Sequence, residues 1–108
     1  MPVPRPGRPV RGSRTGRPMM AALDLLGRRW ALRILWELRR DALTFRGLRE
    51  RCDAMSPSVL NQRLAELRET GLVTLDPAAG YRLTTLGNDL LLALAPLDAW
   101  ARRWRPRG

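Results

Sequence analysis

The sequence predicts one mostly α-helical domain carrying a small β-hairpin. Three observations point there. Leu60, Leu64 and Leu67 recur at helical spacing behind Ser56 and Pro57, a good N-cap and a good first helical residue, and ahead of the stop residue Gly71. LVTL (72–75) and YRLT (81–84) flank DPAAG, a loop with turn residues at both ends, as two short hairpin strands do. Leu90, Leu94, Leu97, Ala101 and Trp104 step by 4, 3, 4 and 3, a coiled-coil-like seam along a last helix over 86–104, where Pro96 removes one backbone bond.

The elements between these follow in chain order. Residues 1–18 hold five of the nine prolines, and Val3 and Val10 are their only aliphatic side chains besides Met1. Such a segment buries too little apolar surface to offset its ordering entropy, so disorder is expected. Helical periodicity begins at Met19. MAALDLLG (20–27) reads as a short helix stopped by Gly27. RRWALRILWELRR (28–40) reads as the next, with Trp30, Ile34, Leu35 and Leu38 on one face. Leu43, Thr44 and Phe45 form a link or a very short strand. FRGLRERC (45–52) is a third helix with Phe45, Leu48 and Cys52 inward, and Asp53 and Ala54 make a tight connection to the helix over 56–71. A helix-turn-helix followed by a hairpin is the winged-helix arrangement. The expected division is a 1–18 arm, a 19–104 winged helix-turn-helix domain and a 105–108 basic tail.

The charge is placed at the ends. Net charge is +10 and all 20 basic residues are arginine. Residues 1–18 contribute +5, residues 101–108 contribute +4, and the middle, with all ten acids, only +1. Basic ends on a nearly neutral body point to a polyanion, most often nucleic acid. With no histidine and a single cysteine, the chain lacks the parts for Ser-His or Cys-His catalysis, an imidazole metal site, a structural zinc site or an intramolecular disulfide. No glycine-rich phosphate fingerprint appears. No enzyme activity, cofactor or metal is therefore expected. No apolar window of membrane-spanning length and no secretory signal appears, and a cytoplasmic protein is expected.

The chain resembles the HxlR-type, MarR-like winged-helix transcriptional regulators of bacteria. LDLLGRRW (23–30), ILWEL (34–38), TFRGLRERC (44–52), MSPSVLNQRLAELRETGLV (55–73), YRLTTLG (81–87) and Trp100 carry the resemblance in order, over roughly three quarters of the chain. It implies two-fold dimers joined through the first and last helices, palindromic operators, a recognition helix from Ser56, a supporting helix from Phe45 and a wing tip at DPAAG. Two features depart from the family. Many members carry a cysteine shortly before the first helix, in some a redox sensor, and TGRPMM here has none. The single thiol, Cys52, stands where the family is apolar and reads as core. The wing is short, and Arg82 is its only basic residue.

Helical periodicity gives the face of the recognition helix independently. With Leu60, Leu64 and Leu67 inward, Ser58, Gln62, Ala65 and Glu69 point out, Asn61 and Glu66 flank them, and Arg63 borders the core. The base-reading candidates are Ser56, Pro57, Ser58, Asn61 and Gln62, because Asn and Gln pair bidentately with adenine and Ser is permissive. The acids Glu66 and Glu69 fall at the far end, away from phosphates if the helix enters a groove by its N-terminus. Phosphate candidates are Arg46, Arg49, Arg63, Arg82 and Arg28, which would position without specifying. The body is small, and at this size only ~60% of the unfolded surface is buried. A homodimer is expected, with Leu90, Leu94, Leu97, Trp100 and Trp104 at its interface. The arginines Arg5, Arg8, Arg11, Arg14 and Arg17 form an arm that could supply the minor-groove contact a short wing lacks. An idle leader, with Met19 or Met20 as the start, is the competing reading. The reading with most support is a sequence-specific regulator, in the simplest case a repressor on double-stranded DNA. The alternative is a winged-helix protein-interaction or non-specific nucleic-acid-binding module.

Overall fold

In a computed structural model, residues 3–107 are described; Met1 and Pro2 of the expected arm and Gly108 of the expected tail lie outside them. The elements are α1 (Pro18–Leu26), α2 (Ala31–Glu37), α3 (Phe45–Arg51), α4 (Pro57–Glu69), β1 (Val73–Asp76), β2 (Gly80–Leu83) and α5 (Thr85–Arg103). The expected mostly helical chain with one hairpin is what forms.

α4 is bounded by sequence chemistry at both ends. The Ser56 hydroxyl accepts from the Val59 N–H, and Pro57 opens the first turn. At the other end Gly71 takes φ +83, the Leu72 N–H donates to the Leu67 carbonyl at 2.9 Å, and the Gly71 N–H donates to Arg68 at 3.1 Å. This is a Schellman closure, which satisfies carbonyls the helix would otherwise leave open. Leu60, Leu64 and Leu67 then sit in a core with Ile34, Leu35 and Leu48.

The expected helix over 28–40 is shorter than its periodicity. Trp30 lies in the left-handed region at φ 75, so α2 starts at Ala31, and Arg28 and Arg29 belong to a turn. The half-buried Trp30 packs on the core, and the chain reverses there to place both α1 and the Ile34 face inward. Leu43 is neither loop nor full strand. It exchanges backbone hydrogen bonds of 2.9 and 2.8 Å with Tyr81, adding one bridge beside β2. Gly80 is required there, because a Cβ would meet the Leu43 carbonyl oxygen at 2.5 Å.

The hairpin pairs Val73 with Leu83 and Asp76 with Gly80. Thr84 leaves the strand expected over 81–84 and caps α5 instead: its hydroxyl accepts from the Gly87 N–H at 3.1 Å and donates to the Gly71 carbonyl at 2.5 Å. The start of α5 is thus clasped to the end of α4. The second half of α5 leaves the body, and Leu97, Trp100 and Trp104 stay exposed, with the two indoles stacked at 5.4 Å. Cys52 is fully buried, as expected of a core residue, and burial pushes its thiol pKa up.

Residues 3–17 depart from the expectation of disorder. Pro4 is buried and Val3 packs against the core. Residues 7–16 form a closed loop, with the Gly7 N–H donating to the Gly16 carbonyl at 2.9 Å and Val10 bridging Ser13. Gly7, Gly12 and Gly16 all take positive φ. The composition that argued for disorder is also what closes the loop: glycine turns without steric cost, and proline has little freedom to lose.

Candidate nucleic-acid interface

The first turns of α4 present Ser58, Asn61 and Gln62 to solvent, along with Ser56 and Pro57. Ser56 is partly engaged. Its hydroxyl caps the helix and lies 3.0 Å from the Ser58 hydroxyl, so the open hydrogen-bonding capacity rests mainly on Ser58, Asn61 and Gln62.

The acids at the far end of α4 are neutralised differently from one another. Glu66, placed by periodicity on an outward flank, is in fact buried at 7% exposure. Arg28 pairs with its Oε2, and Arg63 Nη1 donates to its Oε1 at 3.0 Å. Arg63 Nε also donates to the Arg29 carbonyl at 2.8 Å. A helical wheel places residues by angle alone, and the turn that carries Arg28 against α4 is a tertiary contact. Arg28 and Arg63, expected as phosphate contacts, therefore serve as ties between α4 and the turn before α2. Glu69 is exposed and pairs with Arg5 at 2.5 Å.

Arg49 is also committed inside the fold. Its Nε donates to the Met55 carbonyl at 2.7 Å and its Nη2 to Ala54 at 3.4 Å. Those carbonyls belong to the turn between α3 and α4, where Asp53 and Ala54 take φ 57 and 54. Two consecutive left-handed residues without glycine are costly, and Arg49 braces them. Arg33 braces the same turn from α2, through Asp53 at 3.3 Å and the Arg51 carbonyl at 2.7 Å, while also pairing with Glu37 at 2.9 Å. These contacts hold its pKa above the usual arginine value, the Glu37 hydrogen bond first among them. Sequence reading missed Arg33; its one available sign was the Glu37 four residues on.

Arg46 and Arg82 remain on the surface. Arg46 is 90% exposed beside Glu50, and Arg82 lies on β2 opposite Thr74. In the wing turn, Asp76 Oδ1 accepts from the Ala78 N–H at 2.8 Å and Ala79 at 3.3 Å, and these bonds hold its carboxyl below the usual range. In the arm, Arg8, Arg11, Arg14 and Arg17 are exposed and Arg5 is held on Glu69. Glu69 ends a 13-residue helix, so Arg5 is docked about 18 Å along α4 from Pro57 at 1.5 Å per residue.

A capped helix, a braced turn before it and a hairpin behind it together make a helix-turn-helix with a wing. A family model described as HxlR-like helix-turn-helix matches residues 25–108. The chain belongs to this HxlR-like family. An uncharacterized HTH-type transcriptional regulator of Mycobacterium tuberculosis is 35% identical over 98 residues, covering 85% of this chain and 61% of that protein. The chain thus spans about three fifths of that relative's length. YvaP of Bacillus subtilis, named an uncharacterized HTH-type transcriptional regulator, is 30% identical over 89 residues, covering 77% of this chain and 82% of YvaP. Among solved structures, quinone-bound YodB from B. subtilis superposes with a TM-score of 0.73 at 30% identity, covering 81% of this chain and 97% of YodB. A possible HxlR family transcriptional factor from Thermoplasma volcanium gives 0.68 at 26%, covering 79% and 82%. Within this HxlR-type fold, the matched span begins at Leu25, so the arginine loop and most of α1 precede it.

Proposed function

We propose that this HxlR-type protein is a sequence-specific transcriptional regulator that occupies a palindromic operator as a homodimer, most simply as a repressor. One observation carries the reading. The N-terminal half of α4 offers short uncharged hydrogen-bonding groups to solvent, while both acids of its other half are paired with arginines. A helix so arranged can enter a groove end-on without presenting unpaired carboxylates to phosphate. Ser58, Asn61 and Gln62 read bases, with Ser56 and Pro57 setting the helix start. Arg46 and Arg82 are the phosphate contacts the geometry favours, because Arg28, Arg49 and Arg63 are engaged within the protein. Arg8, Arg11, Arg14 and Arg17 add an electrostatic grip. Acting on chromosomal DNA, the protein works in the cytoplasm at the nucleoid; among the described residues no helix is long and apolar enough to cross a membrane.

The test starts from fragments of the source genome selected by binding, its own promoter region first. Changing Asn61 or Gln62 to Ala is expected to cost ~1–3 kcal/mol at the selected site and to leave random-sequence affinity nearly unchanged. Equal losses on both would move the assignment to a non-specific nucleic-acid-binding or interaction module, the reading that the two basic ends favour.

A further inference from the structure

We propose that the groove between the end of α2 and the middle of α5 is a binding site for a flat aromatic anion, of the size of an aryl carboxylate or a mononucleotide. The groove holds about 520 Å³, within the ~300–1,000 Å³ of small-molecule sites. One wall is Trp36 of α2 with Arg39 and Arg40 just beyond its end. The other is a ridge of Leu91, Leu92 and Ala95 on α5. No residue of α4 or of the hairpin lines the groove, so it is separate from the reading face. The homodimer proposed above would leave it open. At ~100° per residue, Leu91, Ala95 and Asp98 lie roughly 80–140° around α5 from the seam of Leu90, Leu94, Leu97, Ala101 and Trp104.

The two walls differ in chemistry, and together they describe the occupant. Arg39 lies over Trp36, its Cζ 4.1 Å from the ring centroid. Its Nη1 donates to the Trp36 carbonyl at 2.9 Å. These contacts order a long side chain in advance, which lowers the entropy lost on binding. A guanidinium stacked by its face keeps its edge for an in-plane carboxylate or phosphate. Arg40 beside it is exposed, and among the described residues no carboxylate pairs with either. The groove's one carboxylate, Asp98, is taken by Arg102 at 3.2 Å. The arginine side is therefore left positive, and it calls for an anion. The ridge opposite is apolar, and Leu92 is 74% exposed on it. A flat ring suits the slot between such a ridge and an indole, because stacking and apolar burial act on the same surface. Asn88 adds a neutral amide that can donate or accept. A DNA phosphate would use the two arginines but neither the indole nor the ridge, which favours a small aromatic anion as the occupant.

The experiment is isothermal titration of the full chain, without DNA, with naphthoate, with AMP and with the neutral naphthylmethanol. At least one anion is expected to bind with a dissociation constant below ~1 mM, and the neutral alcohol at least roughly tenfold more weakly. Tighter AMP points to a mononucleotide and tighter naphthoate to an aryl carboxylate; either upholds the site. Arg39→Gln with Arg40→Gln should weaken the bound anion on the order of 10- to 100-fold, the worth of hydrogen bonds to a charged group. Arg51→Gln with Arg68→Gln removes the same charge from exposed positions outside the groove and should leave affinity unchanged. Ala95→Glu, at an exposed position of α5, brings bulk and the wrong charge into the groove and should abolish binding, with a far-UV melt to show that it folds. Neither anion binding overturns the site, as does an alcohol that binds equally well. Equal losses in the two arginine pairs also overturn it, since attraction to net charge would then be the whole effect. So does a chain in which the Arg39 and Arg40 changes weaken DNA binding while neither anion binds, which would assign those arginines to phosphate contact.

Discussion

α4 and the outer half of α5 are both amphipathic helices with an unsatisfied face, and the faces are of opposite kind. α4 buries Leu60, Leu64 and Leu67 at or below 1% exposure and shows serine, asparagine and glutamine to water. The outer half of α5 leaves two tryptophans and Leu97 in water. A polar face costs little to keep solvated and is free to meet a polar surface such as a DNA groove. An apolar face of that size is unfavourable in water and calls for an apolar cover. The polar face suits the nucleic-acid partner proposed above, and the apolar face suits the proposed second copy of the chain.

The sharpest way to break this contrast is inside α4. Replacing Glu66 with Ala removes the buried carboxylate that the half-buried Arg28 and Arg63 share, and a loss of up to about 3–5 kcal/mol in chemical unfolding is expected. A change below 1 kcal/mol would mean the two arginines simply swing into water. Next in size is the core comparison. Leu64→Ala should cost ~2–5 kcal/mol by the same measurement, whereas Trp104→Ala, under conditions that hold the chain monomeric, should stay within ~0.5 kcal/mol. Similar losses at the two sites would show that α5 packs on its own body after all. The arm comes next. Changing Arg8, Arg11, Arg14 and Arg17 to Ser is expected to flatten log K against log salt by up to ~0.9 for each phosphate the loop had neutralised, with site preference intact. An unchanged slope would make the loop idle. Smallest is Glu69→Ala, which breaks an exposed pair worth ~0–1 kcal/mol; a loss as large as that at Glu66 would erase the distinction between the two acids.

Much of the fold was legible because its signals are local. Ser56, Pro57 and Gly71 delimit α4 through bonds to backbone a few residues away, and the leucine spacing names its inner face. The turn residues around Pro77 predicted the hairpin for the same reason. What failed was whatever depended on a neighbour distant in the chain. Trp30 interrupts a periodicity that continues through it. Arg28, Arg49 and Arg63 look identical to Arg46 in a sequence, yet three of them are internal ties and one is surface. The glycines and prolines of residues 3–17 lower hydrophobicity, which argued for disorder, but the same residues close a loop once α1 and α4 are there to receive it.

The sequence by itself determined the order of elements, the inward leucine face and the bounds of α4, and the polar face of its first turns, since periodicity and capping act over one or two turns. Only the tertiary structure decided which charges are spent within the protein, where the N-terminal segment docks and which tryptophans are left uncovered. Those outcomes depend on which surfaces meet across tens of residues, and a side chain's chemistry does not encode its distant neighbour.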